Sequence, residues 1–392
     1  MSRLVFAAAI CACMVAGCAA TPRPGAGSLP WLDEAFEYQP SLVTVQADDL
    51  FRLDPELERK LAASGVRQAS TSQRLKHLLA TIFGSDGRGF GYVAGHSTTA
   101  TETWRNKRGD CLSLTVLTYS VARALGMPAQ MQEVQAPAIF DRRGQLDVVN
   151  QHVNVLFARA HRDLTEASAG RDVVVDFEPD FANGRRGAPL SEMGILARYY
   201  NNVAVESMTL RRHDLAYAYF RAAMRADPAY AAPYANIAVL YRRIGRELEA
   251  EQWLRHAVAL GGPSDVALHE LHQLLVNQGR GDEASEYATQ LESRRAADPY
   301  YWIGLGIRRL QDGEPRAAIS ALERARELTA GFEEVHRYLA IAYARAGELH
   351  RANEELLVLA SLGAAEGDLL ALRKKIDRLR QQPVKGSTPA GS

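Results

Sequence analysis

The sequence has few cysteines and no excess of charge of either sign. Cysteine occurs four times in 392 residues, and 46 lysines and arginines balance 46 aspartates and glutamates. A protein that binds double-stranded nucleic acid usually has a basic patch or a high isoelectric point, whereas the isoelectric point here is about 7.2. Nucleic acid is therefore excluded as an expected partner. The hydrophobic fraction of 47% is that of an ordinary packed protein, and the length allows about two or three domains.

The first 17 residues are predicted to be a secretory signal and not part of a fold. Arg3 supplies a positive charge, and residues 4–15 are apolar and uncharged. Because about 20 residues are needed to span a bilayer, this run is too short for a membrane helix and suits a signal segment. It ends in Val15-Ala16-Gly17-Cys18, which resembles the lipobox of bacterial lipoproteins. Ordinary signal cleavage near residue 16 or 20 is the alternative.

The lipobox resemblance implies that Cys18 is lipidated and anchors the mature chain to a bacterial membrane. Residues 18–30, rich in proline, glycine, alanine and serine, are then predicted to form a lipidated tether. The residue after Cys18 is alanine and not aspartate, which in known sorting signals favours the outer membrane, facing the periplasm. Since Cys11 and Cys13 leave with the signal, Cys111 is the one thiol that stays free in an oxidising compartment.

A period of 34 residues runs through the second half of the sequence. Three columns of positions keep this step: Gly245, Gly279, Gly313 and Gly347; Ala216, Ala250, Ala284, Ala318 and Ala352; and Phe220, Leu254, Ala288, Leu322 and Leu356. Small residues at fixed places allow the two helices of a hairpin to approach closely. The pattern resembles the tetratricopeptide repeat, a helix-turn-helix unit, and predicts an all-α solenoid.

About five repeats are predicted over residues 198–365, with Arg211 at the glycine position of the first. Residues 366–380 place apolar side chains on one stripe and basic ones opposite, which predicts a helix that caps the solenoid. The polar tail, residues 381–392, is predicted to be disordered. The resemblance implies a concave face that binds a protein or peptide partner.

A metal site in the repeats is not expected. His269 and His272 are three residues apart and could share one helix face, but Glu270 lies on another face and no third ligand is evident. We therefore predict that both are surface histidines.

One stretch before the repeats indicates nucleophilic chemistry. Gly109 and Asp110 precede Cys111, and aspartate is a favourable helix N-cap. Leucines and a valine at positions 114, 117, 121 and 125 then fall on one face of a helix, which Gly126 and Pro128 end. Cys111 is thus predicted in the first helical turn, where unpaired N–H groups and the helix dipole stabilise a thiolate. A buried structural cysteine is the alternative.

A catalytic thiolate needs a base, and the base needs a group that orients it. Residues 151–158 alternate as a strand, with His152 on the face opposite to the apolar side chains. Residues 171–178 give a second strand pattern, with Asp176 near its end. We predict His152 as the base and Asp176 as its partner. The alternatives are His161 and His96 for the base and Asp172 and Asp180 for the acid.

Together these features resemble the transglutaminase-like superfamily, a papain-related cysteine fold. The matching residues are Arg108-Gly109-Asp110-Cys111, the helix end Ala124-Leu125-Gly126-Met127-Pro128-Ala129, and the strands that carry His152 and Asp176. The family often has an aromatic residue two positions after its histidine, where this chain has Asn154. The expected fold is an α+β transglutaminase-like, cysteine-protease-type domain over residues 31–190. The resemblance implies that Cys111, His152 and Asp176 form a catalytic triad that needs no metal or organic cofactor.

Functions of different classes remain open at this point. The first is a cysteine enzyme that hydrolyses or transfers an amide or peptide acyl group, with the repeats recruiting its substrate. The Cys111 N–H is then the expected oxyanion donor, a second donor is unassigned, and Trp104 is either a pocket wall or a buried anchor. The second is a catalytically inactive scaffold whose repeats bind a partner. Cleavage of a peptidoglycan cross-link is a third hypothesis, which rests on the expected location alone.

Overall fold

The fold combines an α/β region with a long series of helical hairpins. A computed structural model describes residues 29–381 except 85–88, 94, 135–139, 144–145, 150–151, 158–171, 178–186, 262–264, 330–331 and 365. Among these residues, no helix combines the length and apolar character that crossing a bilayer requires.

Five α-helices belong to the α/β region: α1 (Ala47–Phe51), α2 (Pro55–Ala63), α3 (Thr71–Phe83), α4 (Ala100–Asn106) and α5 (Cys111–Ala124). The apolar spacing predicts helical structure over residues 55–83, and the structure has α2 and α3 there with a turn between them. Gly65 has a φ of 66° in that turn, a left-handed conformation that glycine adopts readily. Ser70 then caps α3 by accepting a hydrogen bond from the N–H of Gln73.

The described residues of this region also form eight strands: β1 (Gly91–Tyr92), β2 (Arg108–Gly109), β3 (Gln130–Val134), β4 (Phe140–Arg143), β5 (Leu146–Val149), β6 (His152–Phe157), β7 (Val173–Val175) and β8 (Ala188–Leu190). β1 and β2 form a short parallel pair, and β4 and β5 form an antiparallel hairpin. The main sheet is antiparallel, with the order β7-β6-β3-β8. In the described part of the second predicted strand, residues 172–177, the structure has β7 at Val173–Val175.

Helix α5 is the centre of the α/β region. The sequence predicts one apolar face, whereas eleven of its fourteen residues are buried, including Ser113, Thr115 and Thr118. A helix that is buried on almost every side needs partners for its polar groups. Thr115 illustrates this, since its hydroxyl donates to the main-chain oxygen of Val153 over 3.1 Å and so joins α5 to β6.

Ten helices follow as five hairpins: α6 (Glu192–Thr209), α7 (His213–Ala226), α8 (Ala232–Arg243), α9 (Glu247–Leu260), α10 (Val266–Asn277), α11 (Gly281–Ala297), α12 (Pro299–Gln311), α13 (Pro315–Glu327), α14 (Glu333–Ala346) and α15 (Leu349–Ser361). A further helix, α16 (Glu366–Gln381), contacts α14 and α15 at the end of the series. The alanines of the 34-residue period are fully buried or nearly so, as close helix packing requires.

The periodic glycines lie in the turns inside the hairpins. Gly245, Gly279, Gly313 and Gly347 have φ values between 72° and 84°, the left-handed region in which a Cβ atom is unfavourable. Arg211 occupies the corresponding turn of the first hairpin and also has a positive φ, of 59°. The first hairpin therefore has the same left-handed turn geometry, although an arginine replaces the glycine there.

The hydrophobic core has two parts. One cluster runs from Phe36 to Ala284 and includes the α/β region together with the first hairpins, and a second runs from Ile303 to Ile376. The first solenoid helices therefore share a continuous core with the α/β region. Residues 29–38 contribute to the contact between the amino-terminal part of the chain and the solenoid, because they pack on α7, α8 and α9.

Candidate functional site

His152 and Asp176 face each other on neighbouring strands. His152 is the first residue of β6, and Asp176 directly follows β7, with which β6 pairs in antiparallel register. The Nε2 atom of His152 lies 2.7 Å from Oδ1 and 2.8 Å from Oδ2 of Asp176. Both side chains are buried, with 5% and 1% exposed. A carboxylate that accepts the Nε2 proton holds the ring orientation and its tautomer, which makes Nδ1 the nitrogen available for proton transfer.

A chain of amide side chains continues from this pair. Asn154 Nδ2 donates to Oδ2 of Asp176 over 2.8 Å, and Asn154 Oδ1 accepts from Gln132 Nε2 over 2.8 Å. Gln132 Oε1 in turn accepts from the main-chain N–H of Gly187 over 2.9 Å. Asn154 and Gln132 are almost completely buried. Because buried polar groups that are paired in this way resist rearrangement, the network fixes the carboxylate beside the imidazole.

Cys111 is the first residue of α5, and the loop before it is tightly bonded. The carboxylate of Asp110 caps the helix by accepting from the N–H of Ser113 over 2.8 Å and from its hydroxyl over 2.6 Å. The other oxygen of Asp110 accepts from the hydroxyl of Ser97 over 2.5 Å. The Ser113 hydroxyl also accepts from the N–H of Thr98. Four short bonds therefore hold the start of α5.

The start of α5, which carries Cys111, lies close to β6, the strand that begins with His152. Cys111 is buried, with 9% of its surface exposed. Thr115 lies one helical turn further along the same face and contacts Val153, the residue after His152. The fold thus brings the start of α5 and the start of β6 into one region. The assignment of all three side chains as a catalytic triad stays a prediction.

Gly109 leaves no room for a side chain at this position. A Cβ atom there would be 2.7 Å from Cβ of Ser113 and 3.2 Å from Cγ2 of Thr103. We expect Gly109→Ala to lower the free energy of unfolding by about 1–3 kcal/mol, because the clash forces α4 and α5 apart. Gly91→Ala is the matched control, since its nearest neighbour, Cβ of Arg108, lies at an ordinary 3.7 Å. Urea unfolding of both variants checks this, and equal losses would contradict it.

The first solenoid helix contacts the loop of the cysteine. Asn202 of α6 donates to the hydroxyl of Ser97 over 3.0 Å, and Ser97 bonds to the N-cap Asp110. His96, the alternative base, has its Nδ1 atom 2.8 Å from Oε1 of Glu206 and an exposed fraction of 61%. His96 is therefore engaged by α6 at the surface, whereas the buried imidazole beside a carboxylate is that of His152.

Several predicted residues are placed elsewhere or lie outside the described residues. Cys18, His161 and Asp180 and the tail beyond residue 381 lie outside them. Trp104 is half-buried and packs against the ring of Phe90, with centroids 5.9 Å apart. Within the described residues, no group of three or more His, Cys, Asp or Glu side chains is arranged to hold a metal ion.

Sequence reasoning missed the polar network behind the histidine. The sequence comparison treats Asn154 as a departure from an expected aromatic residue, whereas the structure gives it a direct hydrogen bond to Asp176. One signal was present: Asn154 follows His152 by two positions, so both side chains point to the same face of the strand. A polar residue on the histidine face of an otherwise apolar strand predicts a hydrogen-bond partner there.

Comparison with known proteins supports the repeats. The family model for the tetratricopeptide repeat matches residues 197–230, which run from α6 through α7. Together with the 34-residue period and the successive hairpins, this match shows that the carboxyl-terminal half contains tetratricopeptide repeats. No curated protein matches the chain.

Several solved structures have some similarity to this chain. They include YrrB, described as a TPR protein with an unusual peptide-binding site (19% identity, 45% of this chain and 92% of that one, TM-score 0.25). PilF of Pseudomonas aeruginosa has 19% identity over 48% of this chain and 86% of its own, with a TM-score of 0.26. A MamA structure has 18% identity over 44% of this chain and 96% of its own, with a TM-score of 0.23.

Proposed function

We propose that this protein is a scaffold that binds a protein or peptide partner through its tetratricopeptide repeats. The observation that carries this proposal is the run of five hairpins, with the family match on the first. A solenoid offers an extended surface relative to its core, and such surfaces are used for binding. The proposal includes a membrane anchor at Cys18, which would hold the scaffold at a bacterial membrane, by resemblance the outer one.

The scaffold proposal is tested by comparing partner capture by the full-length protein and two variants. We expect Cys111→Ala to retain the partners of the wild type in unchanged ratio, because binding by the repeats does not need the thiol. Leu322→Ala removes a fully buried side chain of the second core cluster and is expected to reduce capture, since such changes cost about 2–5 kcal/mol of stability. Loss of the partners in Cys111→Ala would contradict a scaffold that works without the thiol.

A second candidate function, cysteine-dependent acyl transfer, is favoured by the buried pair of His152 and Asp176. In this proposal Nδ1 of His152 takes the proton of Cys111, and the sulfur attacks the carbonyl carbon of an amide. The resulting oxyanion accepts from the Cys111 N–H, and its collapse breaks the C–N bond. His152 gives the proton to the departing amine, which leaves a thioester on Cys111. Water or an amine then attacks the thioester and regenerates the thiol.

Asp176 has a defined part in this mechanism. It remains ionised while His152 carries the extra proton, and so stabilises the imidazolium and keeps the ring aimed at the sulfur. Asn154 and Gln132 act as positioning residues, since they touch the carboxylate and not the reacting atoms. The support for this proposal is the buried set of contacts among His152, Asp176, Asn154 and Gln132.

A further inference from the structure

Residues 30–38 lie on the solenoid in the way that a bound peptide lies on a receptor. Two of their main-chain groups are paired with side chains of three different helices. The N–H of Leu32 donates to the hydroxyls of Tyr217 and Tyr241, over 3.0 and 3.2 Å. The carbonyl oxygen of Pro30 accepts from the Tyr241 hydroxyl over 2.9 Å and from the indole N–H of Trp253 over 3.1 Å. This part of the chain is thus held by side chains, not by a helix or sheet.

The side chains of the segment are recognised as well. The ring of Trp31 meets that of Trp253 edge to face, with centroids 4.6 Å apart, and the Arg221 guanidinium lies 4.2 Å from the centre of the Trp31 ring. Asp33 accepts from the Tyr217 hydroxyl over 2.7 Å and forms an ion pair with Arg221. Aromatic and arginine side chains are the usual anchors of interfaces, because they combine large contact area with directional bonds.

A third contact lies further along the segment. Phe36 stacks on the ring of Tyr217, with centroids 4.6 Å apart, and lies 5.7 Å from the ring of Tyr241. Burial alone would raise the pKa of Asp33, but the hydrogen bonds from Tyr217 and Arg221 outweigh it and lower that pKa. The acid is therefore held as a carboxylate, which matches the charge of the arginine.

The receptor side forms a defined surface, which we call the clasp site: Tyr217, Arg221, Tyr241 and Trp253. Its three aromatic side chains are completely buried in the presence of residues 30–38. Without that segment, aromatic surface and hydroxyl and indole donors would be exposed together, which is unfavourable unless another chain covers them. Trp31 itself keeps 39% of its surface exposed, whereas Phe36 is buried in the first core cluster, so the segment runs from the surface into the core.

We propose that the clasp site binds peptide segments of one class. Such a segment has a tryptophan, an acidic residue two positions after it, and an aromatic residue three positions after the acidic residue. Trp31, Asp33 and Phe36 fill it within the chain, and a partner protein with an exposed segment of the same chemistry competes for it. This inference names the peptide class of the proposed scaffold and rests on that function. Intramolecular occupancy acts at an effective concentration on the order of millimolar, so a free partner must first displace the segment.

The test is direct peptide binding to the full-length protein. The probe is a fluorescein-labelled synthetic peptide with the sequence of residues 29–39, and the reading is fluorescence anisotropy. We expect saturable binding to the double variant Trp31→Ala, Asp33→Ala, at least tenfold tighter than to the wild type, whose site is occupied. The same peptide with alanine in place of its tryptophan and aspartate is the control, and it should bind at least tenfold more weakly. No binding of the native-sequence peptide to the folded double variant would overturn the inference.

Two further measurements keep the result decisive. If the double variant loses its helical circular dichroism, Asp33→Ala alone is used, because this acid is half exposed and the remaining clasp contacts are intact. We again expect the variant to bind the peptide more tightly than the wild type does. If neither the variant nor the wild type binds the peptide, the inference is overturned. Adding Arg221→Glu should abolish binding, and binding that survives it contradicts the site. If the protein still captures its partners but does not bind the peptide, this inference is overturned and the proposed scaffold function is not affected.

Discussion

Trp253→Ala is expected to lower the free energy of unfolding by about 3–5 kcal/mol, the usual loss when a buried tryptophan is removed. Trp253 lies on α9 and is completely buried. Its ring contacts those of Trp31, Tyr234 and Tyr241, with centroids 4.6, 5.9 and 6.2 Å away. The substitution therefore leaves a cavity among aromatic side chains and removes the hydrogen bond to Pro30.

The matched control for this prediction is Leu248→Ala on the same helix. Leu248 is 73% exposed, so its replacement is expected to change stability by no more than about 0.5 kcal/mol. Both variants are measured by urea unfolding, followed by the helical circular dichroism signal. A loss below 1 kcal/mol for Trp253→Ala would show that the aromatic cluster does not contribute to stability as its burial implies.

His152→Gln is expected to slow alkylation of Cys111 by about tenfold at pH 7. An ordinary thiol is only a few per cent thiolate at this pH, whereas one paired with an imidazolium is largely ionised. Part of that gain is offset because a more acidic thiolate is a weaker nucleophile. Glutamine is preferred to alanine because it fills the space and does not widen access to the buried sulfur. The rate of iodoacetamide modification is followed by mass spectrometry of the peptide that contains residue 111.

His96→Gln is the control for this experiment. His96 is exposed and bonded to Glu206, so its replacement should leave the alkylation rate within a factor of two. Equal and slow rates in the wild type, His96→Gln and His152→Gln would reject an activated nucleophile and leave the scaffold as the better account. A slower rate in His96→Gln alone would identify His96 as the base and reject His152.

The sequence predicted those features that depend on short spacings. The 34-residue period predicted helix-turn-helix repeats, and the family match confirms them. The prediction that the periodic glycines allow two helices to approach closely was wrong, because Gly245 and its equivalents lie in turns with open space around them. Asp110 was predicted as an N-cap and accepts from Ser113 as expected. These features were visible because capping and turn formation involve residues within about four positions of each other.

Features that depend on distant pairs were not predictable in this way. Leu32 bonds to Tyr217 and Tyr241, which are 185 and 209 positions away. Residues 18–30 were interpreted as a tether because of their composition, yet the carbonyl of Pro30 is bound by two side chains of the solenoid. No local pattern identifies which of many tyrosines will receive such a segment.

The attachment of residues 30–38 to α7, α8 and α9 also determines which part of the molecule bears a pulling force. Tension applied ahead of residue 29 reaches these helices first, through Tyr217, Tyr241 and Trp253. The α/β region lies in the chain between the clasp and α6, and both of these points are attached to the solenoid. Tension therefore passes from the clasp into the solenoid without crossing the α/β region. The strands that hold His152 and Asp176 are thereby shielded from pulling for as long as the clasp holds.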